Sequence, residues 1–308
     1  MLNSFLTMGQ QVLILFILMG VGFVLGKINI IDDHSSRGMS NIMVAIVTPC
    51  LSIVSFQRPL DTTSLRNFGL VGLLSIVIHV LAFFLAPLVI RDKDPDRRAP
   101  LCFAVIFSNC AFMAYPLQQA LLGSIGVFYG SAYVAVFNIL MWSYGVYLMT
   151  GDRSRLKLRP MLLTPNILGV LIGLVLYLLQ ITLPPIIFKP MEFIASLATP
   201  LPMLVIGYQL YRTDLRRVLK SVNTWLSLVM RLVVMPLLML GICLLLGTDK
   251  AVTIALVVAS SAPAAAMLSM FATYFDKNTE LSSSLVSAHT LFAAITMPLV
   301  VGLAQYLA

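Results

Sequence analysis

Acidic side chains are scarce in this 308-residue chain and missing from the interiors of its apolar runs. All 12 of them (Asp32, Asp33, Asp61, Asp92, Asp94, Asp96, Asp152, Glu192, Asp214, Asp249, Asp276 and Glu280) fall in connections or at the ends of those runs. Cysteine is as sparse, and Cys50, Cys102, Cys110 and Cys243 sit inside apolar stretches without metal-ligand spacing, which supports neither a disulfide framework nor a zinc site. There is no HExxH, no GxSxG and no intramembrane carboxylate pair, so an enzyme working within the membrane lacks its chemistry. No metal or cofactor is called for.

What is present is hydrocarbon. The composition is 59% hydrophobic and 10% charged, and the windows 2–26, 99–151, 161–188 and 281–308 carry no charge at all, so lipid is the solvent for most of the chain. At about 20 residues per span, the pattern predicts ten helices near 9–26, 38–57, 67–90, 99–121, 125–149, 163–181, 193–211, 221–246, 251–274 and 281–305. Nothing before Gln10 is basic and no small-residue cleavage site follows the first apolar run, which reads as a retained span.

The net charge of +8 is a topology signal, not a nucleic-acid footprint, because the basic residues sort between alternating connections. One side receives Lys27, Arg37, Arg91, Lys93, Arg97, Arg98, Arg153, Arg155, Lys157, Arg159, Arg212, Arg216, Arg217, Lys220 and Lys277; the other receives Arg58, Arg66, Lys189 and Lys250. The positive-inside rule makes the first side cytoplasmic and leaves both termini extracytoplasmic, in a multi-pass protein of the cell membrane.

Sliding the chain along itself by roughly 151 residues brings Gly22 onto Gly173, Thr48-Pro49 onto Thr199-Pro200, and Ser108-Asn109 onto Ala259-Ser260. The two copies, 1–150 and 151–308, hold five spans each. An odd number forces the second copy into the bilayer from the opposite face, so the repeats are inverted, and inverted repeats place a binding site at the midplane between halves.

Two prolines, Pro116 in the fourth span and Pro263 in the ninth, lie where hydrocarbon cannot satisfy a freed carbonyl. They read either as ordinary kinks relieved by neighbouring helices or as the breaks of a substrate site, and their matched placement favours the site. Around them stand Asn109, Cys110 and Tyr115 in the fourth span and Ser260 and Ser261 in the ninth. These seven residues are the candidate substrate contacts, with half-helix N-termini available to a small anion. Three further residues are ionisable inside spans. His79 and His289 read as packing residues or as coupling groups that titrate near neutral pH; Arg231 either snorkels to the interface or faces an anion's path. Without a midplane carboxylate, the expectation is facilitated transport or coupling through histidine. Gly22-xxx-Gly26 and Gly169-xxx-Gly173 mark close helix packing, inside one chain or across a homodimer.

At these residues the chain resembles the auxin efflux carrier family, which includes plant PIN-FORMED proteins and bacterial malonate and malate carriers. The likeness runs nearly end to end. It is carried by Asn41 with Thr48-Pro49, by Phe107-Ser108-Asn109-Cys110-Ala111-Phe112-Met113-Ala114-Tyr115-Pro116 in the fourth span, and by Pro165-Asn166-Ile167-Leu168-Gly169. It continues through Pro202 to Gly207, Arg231 to Pro236, Ser261-Ala262-Pro263 and Thr296-Met297-Pro298.

The resemblance implies a ten-helix fold like that of bile acid sodium symporters, with a scaffold of spans 1, 2, 6 and 7 and a transport domain of spans 3–5 and 8–10. It further implies that spans 4 and 9 cross at their prolines, that organic anions move by an elevator-like motion, and that Asn109 contacts substrate. Ala114-Tyr115 departs from the Gly-Ile frequent in the family, and no counterpart of the symporters' sodium-binding glutamate occurs near Ser260. The function this predicts is secondary transport of small carboxylates or auxin-like aromatic acids. A receptor that binds ligand on a transporter fold without flux is the alternative.

Overall fold

A computed structural model describes residues 2–152, 163–213 and 218–308 of the chain. Among them the secondary structure is helical, without a named strand. In chain order the helices are α1 (Leu2–Lys27), α2 (Asp33–Phe56), α3 (Thr62–Val89), α4a (Pro95–Ile106), α4b (Tyr115–Leu122, entered through a π turn at Cys110–Ala114) and α5 (Ser124–Thr150). The second set is α6 (Pro165–Leu178), α7 (Pro185–Arg212), α8 (Val222–Leu246), α9a (Lys250–Ser261), α9b (Met267–Tyr274) and α10 (Thr279–Leu307).

Six of these, α2, α3, α5, α7, α8 and α10, are long and apolar enough to cross a membrane, and shorter apolar helices occupy Leu13–Lys27, Pro165–Leu178 and Lys250–Ser261. The protein is a multi-pass membrane protein. Its outward faces carry Ile17, Leu73, Phe84, Leu171, Val175, Phe193 and Leu245, large apolar side chains exposed in the isolated chain that suit contact with lipid.

Helix ends follow local chemistry. The start of α2 precedes the apolar run because Asp32 and Ser35 form a capping box, each side chain taking the other's backbone N–H at 2.8 Å. For the same exposed Asp32 carboxyl, the bond from the Ser35 side chain is the first cause of a pKa below the usual carboxylate range. α7 likewise begins at Pro185, earlier than hydropathy predicts. Lys189 and two prolines hide its first turns from a hydropathy reading, yet Pro185 stands at the helix start, where its missing N–H costs nothing.

Packing pairs α1 with α7 and α2 with α6. Glycine permits both contacts: a Cβ on Gly207 would run into the α1 backbone at Met19 and Phe23, and one on Gly169 would lie 2.6 Å from the Cα of Pro49. Gly22 faces the backbone of Leu204 and Gly173 the ring of Phe56. The small-residue stripes are therefore consumed inside the chain. Around this frame α5 packs on α2 and α6, and α10 on α1 and α7, while α3, α4b and α9a gather on α5 and α8 and α9a on α10.

Candidate functional site

Two helices are interrupted side by side. α4a stops at Ile106 and α9a at Ser261, and the extended residues that follow exchange backbone hydrogen bonds as an isolated antiparallel bridge between Ser108 and Ala264. The Asn109 N–H donates to the Pro263 carbonyl at 2.7 Å, and the Ala265 N–H donates to the Phe107 carbonyl at 2.9 Å. The crossing thus repairs the backbone groups that each break would leave bare in a water-free interior.

Across the antiparallel bridge Phe107 faces Ala265, Ser108 faces Ala264 and Asn109 faces Pro263. The position of the first break differs from expectation. It falls at 107–109, ahead of Pro116, which sits at the start of α4b as a helix initiator.

A cavity of about 160 Å³ opens beside the crossing. Its walls are Asn41 and Val44 of α2, Ser108 to Phe112 at the first crossing, Phe137, Asn138, Met141 and Trp142 of α5, Thr164 to Asn166 at the start of α6, and Ala265, Ala266, Met267 and Met270 at the second crossing. Among the described residues no carboxylate or cation lines it. Its polarity comes from amides and from the Ser108 and Thr164 hydroxyls: the buried Asn109 Nδ2 has no partner, Asn138 Nδ2 donates to the Val134 carbonyl at 2.8 Å, and Asn166 Oδ1 accepts from the Thr48 hydroxyl. Three helix N-termini, those of the π turn at Cys110, of α9b and of α6, meet at these walls. Each brings the positive end of a helix dipole, about half a charge, although at α6 the Ile167 N–H is already taken by the Thr164 hydroxyl.

The helices that form the walls are locally widened at this depth. π turns occupy Met43–Val47, Cys110–Ala114 and Met141–Gly145, so Val44, Cys110 to Phe112, and Met141 with Trp142 all belong to wide turns. Such turns cost helix hydrogen bonding and concentrate at functional sites.

Arg231 lies in a fourth π turn, Met230–Val234 of α8, and is 1% exposed. It neither snorkels nor lines the cavity. Its guanidinium donates to the carbonyls of Val105 at 3.1 Å and Ile106 at 3.2 Å, and to that of Ser260. These belong to the last turns of α4a and α9a, where carbonyls lack helical partners and the dipole is negative. The two half-helices therefore turn their carbonyl ends toward Arg231, while α4b and α9b turn their N–H ends toward the cavity.

Of the seven candidate contacts, the cavity brings together Asn109 and Cys110. Tyr115 and Pro116 are buried at the head of α4b, outside its lining. The hydroxyls of Ser260 and Ser261 are spent on the Val257 and Val258 carbonyls, each at 3.1 Å, and Pro263 takes part through its backbone carbonyl. His79 and His289 are buried away from the cavity, each with Nδ1 2.7 Å from the carbonyl four residues earlier. Asn138, Thr164 and Trp142 were not singled out by sequence, and Asn41 and Asn166 served there only to carry the family likeness. An amide inside a charge-free run was the available signal. Among the described residues no cluster of His, Cys, Asp or Glu fits a metal ion.

The family model for membrane transport proteins matches the chain twice, over residues 7–161 and 154–301. The chain belongs to this family, that of the auxin efflux carriers. The double match also fits a duplicated architecture. Two archaeal relatives align along almost the whole carrier. An uncharacterized transporter of Methanothermobacter thermautotrophicus is 23% identical over 94% of this chain and 96% of its own length. Another, of Methanocaldococcus jannaschii, is 22% identical with the same coverage of both. The yeast protein ECM3 is 26% identical over 28% of this chain and 14% of its own length. Membership of a transporter family favours transport over catalysis and does not favour a receptor without flux.

Proposed function

We propose that the carrier is a secondary transporter of small organic anions, carboxylates such as malonate or malate or auxin-like aromatic acids, bound where the two interrupted helices cross. The observation that carries this reading is the cavity itself. It is fed by three helix N-termini and by the unpartnered amide of Asn109, and among the described residues no carboxylate stands there to repel an anion. Its apolar walls, Phe112, Phe137, Met141, Trp142, Met267 and Met270, suit the carbon body of such a substrate.

In this reading ten membrane segments form two inverted five-helix repeats. The α1–α7 and α2–α6 contacts make the scaffold, and α3 to α5 with α8 to α10 make the transport domain. The cavity has walls from both, α2 and α6 on one side and α4b, α5 and α9b on the other, which is where an elevator motion would open and close it. In this reading the basic connections are cytoplasmic and both termini lie outside. Any homodimer forms through outer scaffold faces, since the glycine stripes are already covered.

The test is uptake of radiolabelled malonate, malate and indole-3-acetate into proteoliposomes, with and without imposed proton and sodium gradients. Saturable uptake of at least one acid is expected, independent of sodium. Binding without uptake of any of them would defeat the transport reading, and strict sodium dependence would contradict a site lacking carboxylates.

A further inference from the structure

Arg231 is a buried cation, and among the described residues no carboxylate is found to act on it. Its guanidinium donates to three neutral carbonyls and lies beside the neutral hydroxyl of Tyr133, its Nε makes no hydrogen bond, and no ion pair among the described residues involves it. Carbonyl dipoles at two helix ends offset such a charge only in part, and a buried charge without full compensation is costly. Low-dielectric surroundings also carry its field further than water would. The field reaches the cavity: Cys110, which lines it, lies within electrostatic range of the guanidinium, as do Tyr133, His79 and His289.

We propose that Arg231 sets the charge preference of the cavity from behind the crossing, as a specificity-determining residue that never touches the substrate. It cancels the negative carbonyl ends of α4a and α9a. The positive N–H ends of α4b and α9b are then left to dominate the cavity, and an anion entering there supplies the counter-charge the protein withholds. A neutral molecule of the same shape supplies none. The inference rests on the reading of the cavity as an organic-anion site and adds the residue that makes it one. Snorkelling or plain packing would predict no effect on which molecules are accepted.

The experiment compares each acid with its uncharged amide, malonate with malonamide and indole-3-acetate with indole-3-acetamide, as competitors of labelled acid uptake in proteoliposomes of full-length carrier. Wild type is expected to prefer the acid by at least about tenfold in half-inhibitory concentration, the scale of one unscreened charge interaction. In Arg231→Gln, which keeps donors for the carbonyls but not the charge, the ratio should collapse toward one, chiefly through weaker acid binding. Arg231→Lys, which keeps the charge but not the fork, should hold the ratio within about threefold while maximal rate falls. A folded Arg231→Gln carrier with the wild-type ratio overturns the proposal and leaves the anion-carrier reading intact. Failure of wild type to take up any acid instead removes that reading itself. Where Arg231→Gln yields no folded protein, Arg231→Lys decides alone: a retained ratio supports the proposal and a lost one overturns it.

Discussion

At the crossing, one segment carries Ser108, Asn109 and Cys110 where the facing segment carries Ala264, Ala265 and Ala266, although the two make the same backbone bonds to each other. The two segments share their backbone bonds and not their side-chain chemistry. One supplies the amide and thiol that meet the cavity; the other supplies the small residues that let the first approach. A site shared between two crossing segments therefore need not be chemically symmetric, because the interruption of each helix is satisfied by main chain alone.

The largest effect should come from filling the bare segment. Ala264 is fully buried against Ser108, so Ala264→Leu overpacks the crossing, costs about 1–3 kcal/mol or more, and should abolish uptake together with a clear drop in melting temperature in detergent. Retained transport in that variant would mean the two segments separate freely. The polar segment should respond differently. Asn109→Ala removes an unpartnered buried donor, so stability should hold within about 1 kcal/mol or rise slightly, while acid uptake falls by about tenfold to a hundredfold, as for loss of one charge-assisted hydrogen bond.

Moving the amide across the pair sharpens the comparison further. Asn109→Ala combined with Ala265→Asn places it on the facing strand, still on the cavity wall, and should recover part of the lost uptake, to within about tenfold of wild type on the same hydrogen-bond scale. No recovery would show that only the first strand's geometry serves. The smallest effect is expected at Ser260→Ala and Ser261→Ala. Their hydroxyls bond within their own helix, so uptake should change less than twofold and stability by about 0.5 kcal/mol or less.

Much of the fold was legible because lipid imposes a simple rule on sequence: long uncharged runs must be helical, and basic residues mark their ends. The break after Ser261 was legible through Pro263. The one after Ile106 was not, since no proline stands there and Phe107 and Asn109 leave the helix for partners on a strand more than a hundred residues away. Pro116 drew attention to the wrong turn of the right helix. Asn109 and Cys110 line the cavity, whereas the hydroxyls of Ser260 and Ser261 bond to carbonyls of their own helix, a choice that no local pattern announces. Arg231 could be recognised as unusual from its position alone. That it binds helix ends depends on the meeting of α4a, α8 and α9a, which no local pattern encodes.

The wide turns at Met43–Val47, Cys110–Ala114 and Met141–Gly145 each hold one residue more than a regular coil would need. Excising a single residue from 141–145 would let α5 close to a regular coil with its two flanks still in phase, because the wide turn is what absorbs the extra residue. A single-codon deletion would then reshape the cavity wall locally at Met141 and Trp142 and leave the packing on either flank in place.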